Sequence, residues 1–357
     1  MAGVLALSAC VSARADPVQL SSPRAANASV VLGDGRILLL GGCVRDGCEA
    51  GPASAMVDMF DPRKGTFVNG GRLLAPKVVS EAVKLPDGRI FVVGGWDQGK
   101  ASASAEIFDP KSGRSQSVGS LSTTRGDVSV VALADGRVLV AGGFDGRQRL
   151  AGAEIFDPRT GRFTPVGPLN EARSGTESVL LKDGRVLVIG GVTGGPGATM
   201  PLASAEIFDP ATGRFTSTGS LIEARFKHAA LRLPDGRVLV IAGSDERGRD
   251  GGKKRTLEIY DPARGEFTLG GTLHHARYKL TDAVALLADG RVLIGGSGRY
   301  PEVYDPATLQ SAELAVDLGR SWNFMTAATL DDGRVLLAGG YSEDGLEVSD
   351  RTWLLAI

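Results

Sequence analysis

The tripeptide Asp-Gly-Arg occurs seven times in 357 residues, at Asp34, Asp87, Asp135, Asp183, Asp235, Asp289 and Asp332, at intervals of 43 to 54 residues. A Leu stands two residues before each Asp, and a short apolar run follows each Arg, as in Val138-Leu139-Val140-Ala141. The run ends in a glycine pair, from Gly41-Gly42 to Gly339-Gly340, with Ala242-Gly243 as the departure. After a variable stretch comes Ile155-Phe156-Asp157-Pro158 or a variant, then a Thr-Gly-Arg-Phe-like turn, a Leu, and a basic residue that opens the next unit. Such self-similarity means one structural unit stacked on its copies, so length is no guide to domain count.

Each piece names its local structure. Asp-Gly between two apolar runs is a tight-hairpin signal, because Gly accepts positive φ. Asp-Pro-x-x-Gly is a second turn, in which Pro presets φ and Gly supplies the left-handed residue. The runs between turns have strand lengths and are rich in Val, Leu, Ile and Phe. A unit is therefore four short antiparallel strands, which cannot bury both faces alone and must stack on its neighbours. Units of this size and strand number close radially into an all-β propeller. The expected architecture is seven-bladed, over 24–73, 77–121, 125–169, 173–221, 225–273, 277–316 and 320–357. The last unit lacks a fourth strand, which Asp16-Pro17-Val18-Gln19-Leu20 is expected to supply from the N-terminus. The glycine pair, the aromatic-Asp-Pro turn and the basic residue opening each first strand resemble the Kelch repeat family, within the superfamily of galactose-oxidase-like propellers. The resemblance covers residues 16–357.

Forty Lys and Arg balance 41 Asp and Glu. A net charge of −1 excludes a strongly basic nucleic-acid binder and a polybasic membrane-surface protein. Glycine, at 50 residues, is about twice its ordinary share of roughly 7% and fits a turn-rich chain. No run reaches transmembrane length. Residues 1–15 open small and apolar through Leu7-Ser8-Ala9-Cys10, which resembles a bacterial lipoprotein signal with Cys10 as the lipid anchor; Ala13-Arg14-Ala15 is a rival cleavage site. Either route exports the protein, to the periplasm, a lipid-anchored position or the medium; without a signal it stays in the cytoplasm. Cys43 and Cys48, five apart in one loop, are either a disulfide or two thiols.

The 1–2 and 3–4 turns share one face of a four-stranded blade and are near-identical in every unit. The 2–3 loops on the other face vary from Ser297-Gly298-Arg299-Tyr300-Pro301 to the long Ser244–Arg255 stretch with its many basic residues. Function concentrates on variable loops held by a rigid scaffold, which places a candidate site at the channel mouth on that second face. Each first strand opens there with Arg24, Lys77, Arg125, Arg173, Arg225, Arg277 or Arg320. Two readings stand open: a ring of cations that gathers an anionic ligand, or guanidinium forks that bond loop carbonyls between blades. Nearby positions break the repeat, namely Glu81, Asp127, Glu177, Lys227, His228, Asp282, Trp322 and Asn323. Mixed acids, base, amide and aromatic at one mouth suit a small polar ligand or a carbohydrate.

The resemblance also brings an enzymatic branch, the copper radical oxidases similar to galactose oxidase, which need two His and two Tyr on copper and a Tyr crosslinked to Cys. His228, His274 and His275 are the only histidines, and no such set can be matched. Ser-x-Asp-x-Gly-x-Thr-Trp boxes and phosphate-binding Gly loops are absent. The expectation is a monomeric, non-enzymatic module without cofactor or metal that binds a protein or glycan through its loop face. One alternative is a sugar or sugar-acid isomerase or hydrolase acting at the mouth; another is a structural module of the cell envelope.

Overall fold

A computed structural model describes residues 18–45, 48, 52–195, 198–245 and 252–357, and the backbone of 13–14. Among them the regular structure is all β. It forms five four-stranded sheets and one eight-stranded sheet, with three two-stranded ribbons at the variable loops. The third unit shows the pattern: Ser129–Ala132, Val138–Ala141, Ala153–Asp157 and Arg162–Pro165 pair in order, each antiparallel to the last. The eight-stranded sheet holds the first two units, joined by one parallel pairing of Arg72 with Arg114.

The turns form as their residues dictate. Gly136, at φ 86°, donates its N–H to Leu133 O, and Leu133 N–H donates to Arg137 O across the Asp-Gly-Arg hairpin. Arg137 Nε donates to Asp135 Oδ2 at 2.7 Å, so this arginine folds back on its own turn rather than reaching a neighbouring strand. At the second turn Gly161, at φ 69°, donates to Asp157 O. The second strands, such as Val186–Ile189, are buried on both faces, because each sheet is sandwiched between neighbours. One apolar cluster joins Leu139, Ile155 and Leu169 of the third unit to Val186, Val188 and Phe208 of the fourth.

The glycine pairs are where units meet. A Cβ on Gly142 would lie 2.6 Å from Arg173 O, closer than any side chain tolerates. Without it, Gly143 N–H donates to Arg173 O at 2.8 Å. The same bond recurs from Gly42 to Lys77, Gly95 to Arg125, Gly191 to Arg225, Gly243 to Arg277 and Ser297 to Trp322, and from Gly340 back to Arg24.

The basic residue that accepts this bond is buried with a carboxylate. Arg173 donates to Gly190 O and Ser204 O at 2.9 and 3.0 Å and to Glu206 Oε1 at 2.8 Å, while Glu206 Oε2 accepts from Asn170 N–H. Arg24–Asp58, Lys77–Glu106, Arg125–Glu154, Arg225–Glu258 and Arg277–Glu302 repeat the pair. The expected seventh member does not join them. Arg320 is exposed and pairs with Glu347, while Trp322, fully buried, takes its place and donates Nε1–H to Leu318 O. Trp353 faces Leu337 in the register where Glu206 faces Val188, so an apolar pair replaces the ionic one.

The chain's opening segment lies on the last sheet. Its outer strand is Ala13–Arg14, paired with Leu354 and Leu355, rather than Val18–Leu20. Those residues run alongside: Leu20 N–H donates to Asp350 O, and Thr352 Oγ1 donates to Val18 O. Residues 1–12, including Cys10, lie outside the described residues. No helix among the described residues is long and apolar enough to cross a membrane.

Removing one member of a buried ion pair leaves the other uncompensated. Glu206→Ala is expected to cost about 3–5 kcal/mol in urea unfolding, whereas Arg137→Ala, on an exposed turn, leaves the midpoint nearly unchanged.

Candidate functional site

Each first strand enters from the loop face through one left-handed residue: Ala26, Val79, Asp127, Gly175, Lys227, Lys279 and Phe324, all at φ between 47° and 58°. Six of these are not glycine, and such backbone strain persists only where surroundings impose it. The imposing contacts are bonds between units. Val79 N–H donates to Ala26 O, Gly175 to Asp127 O, Lys227 to Gly175 O, Lys279 to Lys227 O, Phe324 to Lys279 O, and Ala26 to Phe324 O, at 2.9–3.2 Å. The result is a backbone collar around the channel mouth whose side chains are left to vary.

Above the collar lies a cavity of about 580 Å³. Its wall is aromatic, with Trp96, Phe144, Phe226, Tyr278, Phe324 and Tyr341, and carries Asp127, Lys227, Lys253, Lys279 and Glu343. The Lys279 ammonium sits 4.9 Å from the Tyr341 ring centre, 5.3 Å from Tyr278 and 5.7 Å from Phe324, and donates to the Tyr341 hydroxyl. Lys227 lies 5.6 Å from the same Phe324 ring. Lys253 pairs with Glu343. Asn323 faces Tyr341 directly in a two-stranded ribbon. It is 5% exposed and lines the cavity, and its Oδ1 has no hydrogen-bond partner among the described residues. A buried acceptor in that state carries a desolvation cost that a ligand donor would relieve. Cys48, in the same wall, is disulfide-bonded to Cys43.

Inside the channel, Glu81, Glu177 and Asp282 come from three different units. Asp282 Oδ2 accepts Ser29 N–H at 3.1 Å, and Thr281 Oγ1 donates to Glu177 Oε1 at 3.4 Å. Enclosure by protein, then the Asp282 charge, lifts Glu177 from 4.5 to about 8. Enclosure lifts Asp282 to about 6, and Glu81 rises well above its ordinary value through enclosure and the Asp282, Glu177 and Asp127 charges.

Of the sequence-predicted residues, Asp127, Lys227 and Asn323 meet in the cavity wall, and Glu177 and Asp282 meet in the channel. Arg125, Arg173, Arg225 and Arg277 are corrected to structural roles: at 0–2% exposed, each is spent on carbonyls and a carboxylate within the sheets. Arg320 and Trp322 are corrected as described above. His228 is fully buried behind the wall, against Gly190 and Gly243. Burial, then the Arg225 charge, pushes it down to about 3, so it stays neutral. Residues 246–251 of the long basic loop lie outside the described residues. Sequence reasoning missed Lys279, which stands two after Arg277 as Lys227 does after Arg225. It also missed the aromatics that follow a glycine pair, Trp96, Phe144 and Tyr341.

The channel acids make stability pH-dependent. Their folded pKa values are raised, so the folded chain holds more protons than the unfolded chain between the ordinary carboxylate range and about pH 8, and stability falls as pH rises through that window. Glu177→Gln is expected to raise the melting temperature at about pH 8 and leave it nearly unchanged at about pH 4; parallel pH profiles for the two proteins would contradict this.

Comparison with known proteins fits the geometry. The Kelch motif model matches residues 85–122, 129–170 and 178–221. No curated protein matches the chain. Among solved structures, a fungal alcohol oxidase of the AA5 family, in complex with copper, aligns with a TM-score of 0.75 and 19% identity over 95% of this chain and 75% of that one. That likeness is one of fold. It corrects the expectation of a non-enzymatic module, because the same architecture carries an enzyme. The residues here do not fit copper. His228 is sealed behind the wall, and His274 and His275 sit on the strand Glu266–Arg277, bonded to Ser311 O and Glu313. Cys43 and Cys48 are bonded to each other. No group of three His, Cys, Asp or Glu among the described residues is arranged to hold a metal. With its repeated four-stranded sheets and glycine-pair contacts, the chain carries Kelch motifs in the units that span residues 85–221.

Proposed function

We propose that the units close into a ring of seven blades, that the protein is exported and monomeric, and that it is an enzyme whose substrate, a small sugar acid, sits in the mouth cavity. The inter-unit bonds from Gly340 N–H to Arg24 O and from Ala26 N–H to Phe324 O support the ring. The Cys43–Cys48 disulfide supports an oxidising compartment. A cavity of about 580 Å³ is of ordinary size for a small-molecule site. Its chemistry selects the substrate class. Aromatic faces take the apolar face of a sugar ring, the ammonium group of Lys227 takes a carboxylate, and Asn323 Oδ1 takes a ring hydroxyl.

The observation that carries this reading is the buried, unpartnered Asn323 acceptor in the same cavity wall as two lysines packed over the Phe324 ring. Calorimetric titration with galacturonate and glucuronate is expected to give saturable binding at least about tenfold tighter than with galactose and glucose, equivalent to about 1.4 kcal/mol. Lys227→Ala removes that preference for the acid. Equal binding of acid and neutral sugar, or no binding of either, rules the reading out.

A further inference from the structure

The ribbon that presents Asn323 also presents Tyr341. Residues directly opposite in an antiparallel pair share one face, and Asn323 and Tyr341 are such partners. The Tyr341 hydroxyl accepts a hydrogen bond from Lys279, whose ammonium is packed over three rings. A cation donating to a phenol oxygen favours the phenolate, a base strong enough to take a proton from carbon when the product anion is also stabilised. Lys227, on the other aromatic contact of Phe324, is placed to neutralise a carboxylate. A carboxylate so neutralised acidifies the C–H on the carbon that bears it. Other groups of the wall are less suited. Cys48 is in a disulfide, Glu343 is paired with Lys253, His228 lies behind the wall, and Asp127 stands on a different part of the collar from Phe324.

Resting on the sugar-acid reading above, we infer that the site is a lyase centre that eliminates across the carbon bearing the carboxylate of a uronic acid, with Tyr341 as the catalytic base and Lys279 as its positioning residue. The phenolate oxygen of Tyr341 takes the C–H proton. The electron pair enters the carboxylate-stabilised anion held by Lys227. It then forms a C=C bond as the neighbouring C–O bond breaks, and the leaving oxygen takes the proton from Tyr341. One C–H and one C–O bond are lost, one C=C π bond and one O–H bond are gained, and no oxidant, reductant or water is consumed. The substrate is therefore a uronide linked through the oxygen beside its acidic carbon, of the kind a chain-cleaving glycan-degrading enzyme would supply as short fragments.

Trigalacturonate and a glucuronate-containing trisaccharide, incubated with the full-length protein and followed by proton NMR, test this. The expected result is an olefinic signal that grows in proportion to enzyme with one of the two. Tyr341→Phe lowers the rate by more than about a hundredfold while its melting temperature and its calorimetric affinity for galacturonate stay within about twofold of the parent. Lys279→Met moves the pH–rate profile toward higher pH, a shift that a merely structural lysine would not produce. A bound acid that gives no olefinic product, or equal turnover by Tyr341→Phe, overturns the lyase assignment and leaves the sugar-acid site standing. Absence of acid binding overturns the site itself.

Discussion

Burying a guanidinium is expensive, and this fold does it repeatedly. Each of Arg24, Arg125, Arg173, Arg225 and Arg277 is out of water and answered by backbone carbonyls or hydroxyls and a buried carboxylate, to which Glu171 and Glu223 add a second at Arg173 and Arg225. The carboxylate in turn accepts backbone N–H groups of the preceding inter-unit loop, as Glu206 does from Asn170 and Glu258 does from Ile222. One buried pair thus ties together the inner strand, the second and third strands and the linker from the unit before. The arginine's own carbonyl then accepts the glycine-pair N–H of its neighbour. Ionic contact within a unit and backbone contact between units meet at one residue. Its geometry is therefore unforgiving, and a glycine is required where the two backbones touch.

That rigidity frees the next ring of residues. Main-chain bonds between units hold the collar positions, so Ala26, Asp127, Lys227 and Phe324 occupy equivalent places without disturbing the sheets. Chemistry is written on a scaffold that does not depend on it. The same logic explains why the cavity is lopsided. Lys227 and Lys279 gather over Phe324, beside Asn323, while Gly175 presents no side chain at its own position.

Much of this was legible in the chain. The Asp-Gly-Arg and Asp-Pro turns, the apolar second strands and the glycine pairs each have a local physical cause, and the strands lie where those causes put them. The basic residues divided differently. Counting explains Arg320, since Arg125 and Arg173 stand eight residues before the Leu of their hairpin, and the residue eight before Leu330 is Trp322. Repetition left the arginines open between a ring of cations for a ligand and forks within the scaffold, and their burial against carbonyls and carboxylates favours the forks. Lys279 and Tyr341 were harder to see, because the sixth unit carries extra residues in its first strand, where Lys279 and Asp282 both turn left-handed. Tyr341 gains meaning only from the partner opposite it in a short ribbon. The depressed His228 and the raised Glu177 follow from enclosure, which no residue pattern announces.

The hydrogen bond from Thr352 to Val18 joins residues 334 positions apart, beside the pairing of Ala13–Arg14 with Leu354–Leu355. While the ribosome is still adding the final unit, the opening segment has nowhere to dock, and the first sheet presents a bare side to solvent. The protein is thus vulnerable to wrong edge-to-edge partners for nearly the whole of its synthesis. Contacts between segments this far apart in a chain are the slowest to form, because the entropy of closing the loop is lost before they give any return.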